Sequence, residues 1–149
     1  YNWGAGKYSR VRAVEKCCFT ASGIVSLLAV CVIALLPEQI TRLFVADAGP
    51  EILSMSVGAL RLFSITYVTR WFSFATQSYM LAVEKPLPAS VISVSTALIF
   101  PVLLIVVLWP LGLTGIWLNF AGTAVLAAVL SVIVLLRVRG ELVRADTES

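Results

Sequence analysis

Between Pro86 and Leu136 the chain carries no Asp, Glu, Lys or Arg, an unbroken stretch of 51 residues. A block of about 18 or more uncharged apolar residues reads as a membrane span. A second charge-free run, Cys17 to Pro37, covers 21 residues. Composition points the same way. Hydrophobic residues make up 60%, charged residues 13%, and the mean hydropathy is +0.98. Soluble domains run at about 45–50% apolar and about 25% charged. These values exclude a disordered tail, a basic nucleic-acid-binding domain of the usual kind, and a small soluble enzyme. In lipid the backbone must satisfy its own hydrogen bonds, so spans are helices or closed barrels. Runs of about 21 residues without a period of two favour helices. The expected fold class is an all-α integral membrane bundle.

Four transmembrane helices are expected, at 17–37, 52–83, 87–108 and 116–136. The last two divide the long uncharged run at Trp109-Pro110-Leu111-Gly112-Leu113-Thr114-Gly115. There Pro removes a helical donor, Gly favours a turn and Trp suits a membrane interface. The segments outside the spans are then 1–16 (a loop with the start of a helix), 38–51, 84–86, 109–115 and the tail 137–149. No short apolar segment with a small-residue cleavage site opens the chain, so no signal peptide is visible. Its first residue is Tyr1, and it reads as a piece of something longer.

Basic residues orient the bundle. Lys7, Arg10, Arg12, Lys16, Lys85, Arg137, Arg139 and Arg144 fall on one side when four spans alternate. The other side has Arg42 among Glu38, Asp47 and Glu51. Positive charge marks the cytoplasmic face, so both ends are expected there. The net charge of +3 is thus a topology signal, and no nucleic-acid partner is expected.

The second span breaks the rule against charge. Arg61, near its outer end, is placed to snorkel to the interface. Arg70 lies about 13 Å deeper and about 20 Å from Glu84 at 1.5 Å per residue. That is mid-bilayer, where an arginine costs about 2.5–3.5 kcal/mol. Thr66, Arg70, Ser73 and Gln77 follow a four, three, four spacing that shares one helical face. Two readings stand: the lining of a solute or ion pathway, or a polar seam bonded to another helix. The hydroxyl and small residues of the last two spans read as helix-packing positions. Among them Asn119 is singled out, because an embedded amide wants a partner.

The chain has no His, which removes Ser-His-Asp and Cys-His catalysis and histidine metal sites. Cys17, Cys18 and Cys31 lack metal-site spacing and read as reduced thiols, buried or lipid-facing. No cofactor, metal or enzymatic activity is expected. Gly4 and Gly6 form a tight turn into a basic helix and lack phosphate-loop spacing. No acidic residue lies clearly inside a span, although cation-coupled carriers normally need one.

YNWGAGKYSRVRA resembles the cytoplasmic loop that opens the third helix of a half in MATE transporters (multidrug and toxic compound extrusion), of the form YNxGAxxxxRV. ITRLFVAD, ALRLF, QSYMLAVEKPLPA and LGLTGIW also resemble family stretches, in the family's order. The resemblance implies twelve helices in two halves related by an axis along the membrane normal. This chain would supply the last four, and the earlier helices would be its structural partners in the bilayer. It also implies a bacterial cytoplasmic membrane and antiport, in which a small amphipathic organic substrate leaves as a proton or sodium ion enters. Some sodium-coupled members carry an acidic residue in the tenth helix. Here that helix has Arg70 and no carboxylate between Glu51 and Glu84, which favours the proton. The alternatives are a lipid-linked precursor or polysaccharide flippase of the same superfamily, and a small four-helix membrane subunit that transports nothing.

Overall fold

A computed structural model describes residues 1–45 and 49–147, with side chains described through Gly140. Asp47 lies outside the described residues, and the Arg144 side chain lies outside the described side chains. The helices are α1 (Tyr8–Leu35), α2 (Pro37–Phe44), α3 (Pro50–Ala82), α4 (Pro86–Val94), α5 (Phe100–Leu108) and α6 (Gly112–Thr147). A π-helical turn, Ser95–Ile99, joins α4 to α5, so the two form one crossing element. Three stretches have the length and hydropathy to cross a membrane: Tyr8–Leu35, Pro50–Ala82 and Pro86–Gly140. The last is a hairpin, because α6 folds back on α5. The chain is an all-α integral membrane bundle with four long crossing elements.

The helix α3 is central. It packs on α1, on α4 and most extensively on α6. Its neighbours approach closely through small residues. A Cβ added at Gly23 of α1 would lie 3.4 Å from the Trp71 ring of α3. Ser26 Oγ donates to the Tyr67 carbonyl at 2.6 Å across the same contact. Small residues and interhelical hydrogen bonds hold helices together where lipid supplies no hydrophobic drive. Accordingly, many large apolar side chains face outward, Leu28 and Val106 among them. The buried cluster of Tyr79, Met80, Val83, Ala89, Leu135 and Val138 gathers at one end, where α3 passes into α4.

Helix ends follow local chemistry. At the end of α3, Lys85 N–H donates to the Met80 carbonyl and Glu84 N–H to that of Leu81. This pair of bonds is a Schellman closure, which needs a left-handed residue. Glu84 takes that conformation at φ +59°, without being glycine. Between α5 and α6 the single turn Trp109–Leu111 reverses the chain, with Gly112 at φ +56°.

Several boundaries differ from the sequence expectation. The helix start expected within 1–16 lies at Tyr8 and runs unbroken into the span, so the basic stretch is the opening turns of α1. The expected loop 38–51 contains α2. Pro37 starts that helix, Glu38 stands in its first turn and Arg42 in its last, an order that suits the helix dipole. The fourth helix begins at Gly112 and runs on through most of the expected tail, to Thr147. In the third element, Pro101 cannot donate a backbone hydrogen bond. Just before it, Phe100 N–H reaches back to the Ser95 carbonyl, the wider π register.

Candidate functional site in the cleft between α1 and α3

The two helices α1 and α3 line a cleft of about 990 Å³. Solute pockets run to about 300–1,000 Å³ and are mostly apolar with a few placed polar groups. This cleft fits that description. Phe19 and Val25 line it from α1, and Tyr67, Trp71 and Phe74 from α3. Arg70 enters it from α3, half-buried, with its guanidinium carbon 5.4 Å from the centroid of the Phe74 ring. That is a cation–π contact, whose attraction grows as water is removed. Among the described side chains no carboxylate is ion-paired with Arg70. Along α3 it sits about 30 Å from Pro50 and about 18 Å from Ala82 at 1.5 Å per residue.

The polar face expected from sequence is divided. Arg70 lines the cleft, but Thr66, Ser73 and Gln77 do not. Thr66 and Ser73 are buried at 5% and 2% exposure, and their hydroxyls have no hydrogen-bond partner. Thr69, between them, is half-buried as a residue, but its hydroxyl oxygen is likewise buried without a hydrogen-bond partner. Gln77 is half-buried. The reason is geometric: these residues span an arc wide enough for two neighbours to divide it. Arg70 stands at the edge turned toward α1.

Asn119 lies away from the cleft. Its Nδ2 donates to the Pro101 carbonyl at 3.1 Å, and Thr123 Oγ1 donates to its Oδ1 at 3.0 Å. The amide therefore ties α6 to α5 beside the proline. The partner that sequence reasoning asked for is a backbone carbonyl. Cys17, Cys18 and Cys31 are all free and exposed, so of the two placements expected for them, buried or lipid-facing, they are not buried. Among the described residues no group of His, Cys, Asp or Glu could hold a metal.

Two features escaped the sequence reading. One is the aromatic company of Arg70. Tyr67 and Phe74 stand three before and four after it, helical spacing that was legible but was read for polar residues alone. The other lies at the cleft's basic end. There Glu15 is 5% exposed and ion-paired with Arg139 of α6. Tyr79 of α3 lines the same small pocket as Glu15 and Arg139. A lone acid among four cations was the available signal. This cluster brings the start of α1, the end of α3 and the far end of α6 together. The basic segments containing Lys7, Lys85 and Arg139 thus gather at one end of the bundle.

A family model described as MatE matches residues 1–107. No curated protein matches the chain, and no solved structure does. The match runs from the opening loop through α1, α3 and all but the last residue of the π-turned element, so the cleft and Arg70 both fall inside it. The chain belongs to the MatE family of membrane transporters.

Proposed function

We propose that the chain forms the last four helices of a twelve-helix MATE antiporter that exports amphipathic organic compounds, with the α1–α3 cleft on the solute pathway. The observation that carries this reading is Arg70, a mid-helix cation held over an aromatic ring in a cleft of substrate size. Placing it there is costly unless water or a ligand reaches it. The apolar body of a substrate would lie against Tyr67, Trp71 and Phe74. Its anionic or neutral polar group would face the guanidinium. The basic end of the bundle is cytoplasmic by the positive-inside rule, in a bacterial cytoplasmic membrane. Coupling is to protons, since α3 supplies no carboxylate between Glu51 and Glu84 for a sodium ion.

Arg70 also favours a second reading, a flippase for lipid-linked precursors, because those substrates carry phosphate. Both readings are tested in proteoliposomes with the full-length protein. Drug efflux should stop when a protonophore collapses the proton gradient and persist when the sodium gradient is collapsed. Arg70→Ala should change substrate choice or rate while the protein still folds. Unaltered transport by that variant would remove the cleft from the pathway. Movement of a phosphate-bearing lipid without drug efflux would favour the flippase.

A further inference from the structure

A serine or threonine on a membrane helix has a ready acceptor for its hydroxyl proton, the carbonyl three or four residues back. Ser64 uses that of Arg61, Thr76 that of Phe72 and Thr96 that of Ile92. Thr66, Thr69 and Ser73 of α3 and Ser131 of α6 do not, and their buried hydroxyl oxygens meet no partner among the described residues. As residues, Thr66, Ser73 and Ser131 are 5%, 2% and 0% exposed. All four belong to the two helices that pack most extensively on each other. Those helices run in the same direction, because the α4–α5 element crosses back between them. Their register follows from Phe63 and Phe120, whose rings meet edge-on at 5.2 Å between centroids. Ser73 lies about 15 Å further along α3 and Ser131 about 16.5 Å further along α6, so the two serines stand at one depth.

We propose that this stretch of the α3–α6 contact is a binding site for internal water, held by the hydroxyls of Thr66, Ser73 and Ser131. Large side chains close the seam at both ends. Phe63 and Phe120 meet at one, and Met80, Leu135 and Val138 cluster at the other. Between them α6 carries Ala124, Ala127 and Ser131 on the face of Phe120, by a four, three, four spacing. Side chains that small do not crowd the α3 hydroxyls. A buried water needs about two to four polar partners, and the hydroxyls supply them. Left dry, each hydroxyl would carry its whole desolvation penalty with no bond in return. Water suits the seam better than a cation. Neither α3 between Glu51 and Glu84 nor α6 up to Gly140 supplies a carboxylate to balance a charge. Hydroxyls both donate and accept, as water does. The site lies on the side of α3 away from the cleft, so it stands whether or not the cleft is the solute path.

The test uses the full-length protein and two readouts. In a cryo-electron microscopy map fine enough to show ordered water, density should stand within about 2.5–3.0 Å of the Ser73 and Ser131 hydroxyls. It should be lost in Ser73→Ala/Ser131→Ala. Thermal melting in detergent adds a sign. Removing a dry buried hydroxyl stabilises a protein, whereas removing one that holds water leaves the water short of a partner. Thr66→Val, Ser73→Ala and Ser131→Ala should therefore each lower the melting temperature, by about 1–2 °C. Higher melting in these variants overturns the proposal. So does a map in which the two serines bond each other directly. Melting that rises with sodium chloride but not with choline chloride would put a cation in the seam, and overturns it as well.

Discussion

Glu15 and Arg139 stand 124 positions apart in the sequence and join α1 to α6 through an ion pair. Those helices lie on different sides of α3, so the pair clasps the bundle across its central helix. Its two members are unequal: the Glu15 side chain is 3% exposed and that of Arg139 49%. Breaking a fully buried pair from one side costs about 3–5 kcal/mol, because the remaining charge is stranded. With Arg139 half in solvent, Arg139→Met should cost about 2 kcal/mol. The double variant Glu15→Gln/Arg139→Met should recover part of that, since no buried charge is left. Thermal melting of the full-length protein in detergent measures both. Equal losses would mean that the guanidinium is not what holds the carboxylate.

Asn119 and Pro101 make a second junction, on the opposite side of α3 from the cleft. Asn119→Leu should remove both hydrogen bonds of the amide and cost about 1 kcal/mol, the usual scale for interhelical bonds in membranes. Asn119→Asp should cost a similar amount, because it keeps the acceptor for Thr123 but loses the donor to the Pro101 carbonyl. If the amide instead served transport, these variants would lose activity while melting normally.

Glycine substitutions should grade by what the new methyl group meets. At Gly115 a Cβ would lie 2.3 Å from the Leu108 backbone oxygen, which the reversing turn holds in place. Gly115→Ala should therefore cost about 2–3 kcal/mol, at the upper end for overpacking. At Gly122 the obstacle is Leu104 Cδ1 at 2.9 Å, the tip of a flexible side chain, so Gly122→Ala should cost less. Gly23→Ala meets only ordinary contact with Trp71 and should be tolerated. The order of melting temperatures checks the ranking.

Glu84 reverses the sign. Its left-handed conformation costs a non-glycine residue about 1–2 kcal/mol. The side chain is exposed and the closure it serves uses backbone atoms alone. Glu84→Gly should therefore stabilise the protein by about 1 kcal/mol, less the entropy a glycine adds to the unfolded chain. A lower melting temperature would show that the carboxylate has a partner in the full-length protein.

Features with a one-dimensional signature were legible in the sequence. Uncharged runs mark three of the four crossing elements, all but α3, and Trp109-Pro110-Leu111-Gly112 marks the reversal between α5 and α6. Features that depend on which neighbour a face meets were not. The spacing of Thr66, Arg70, Ser73 and Gln77 gives one arc of α3, but only the positions of α1 and α6 divide it. The Glu15–Arg139 pair links the two ends of the chain, where no local pattern reaches. Pro101 was visible, yet the π turn ahead of it depends on how the helical ladder absorbs the missing donor. The α2 helix could have been read from its Pro, Glu and Arg order, a signal masked by the expectation of a loop.

That division of the α3 arc yields the sharpest test of the cleft. Arg70 faces it, while Ser73, three residues on, is buried at 2% exposure away from it. In the full-length protein with Cys17, Cys18 and Cys31 replaced by Ala, Arg70→Cys and Ser73→Cys each supply one thiol. A membrane-impermeant methanethiosulfonate reacts with a thiolate only where water reaches it. Arg70→Cys should be labelled, and an amphipathic substrate should slow the reaction by occupying the cleft. Ser73→Cys should stay unlabelled under the same conditions. The two positions lie about 4.5 Å apart along the helix axis, so membrane depth alone cannot separate them. Equal labelling would show that water surrounds this part of α3 on both faces, and the cleft would lose its claim as the solute path. Labelling of Ser73→Cys alone would move the pathway to the side of α3 that carries the unpartnered hydroxyls of Thr66 and Thr69.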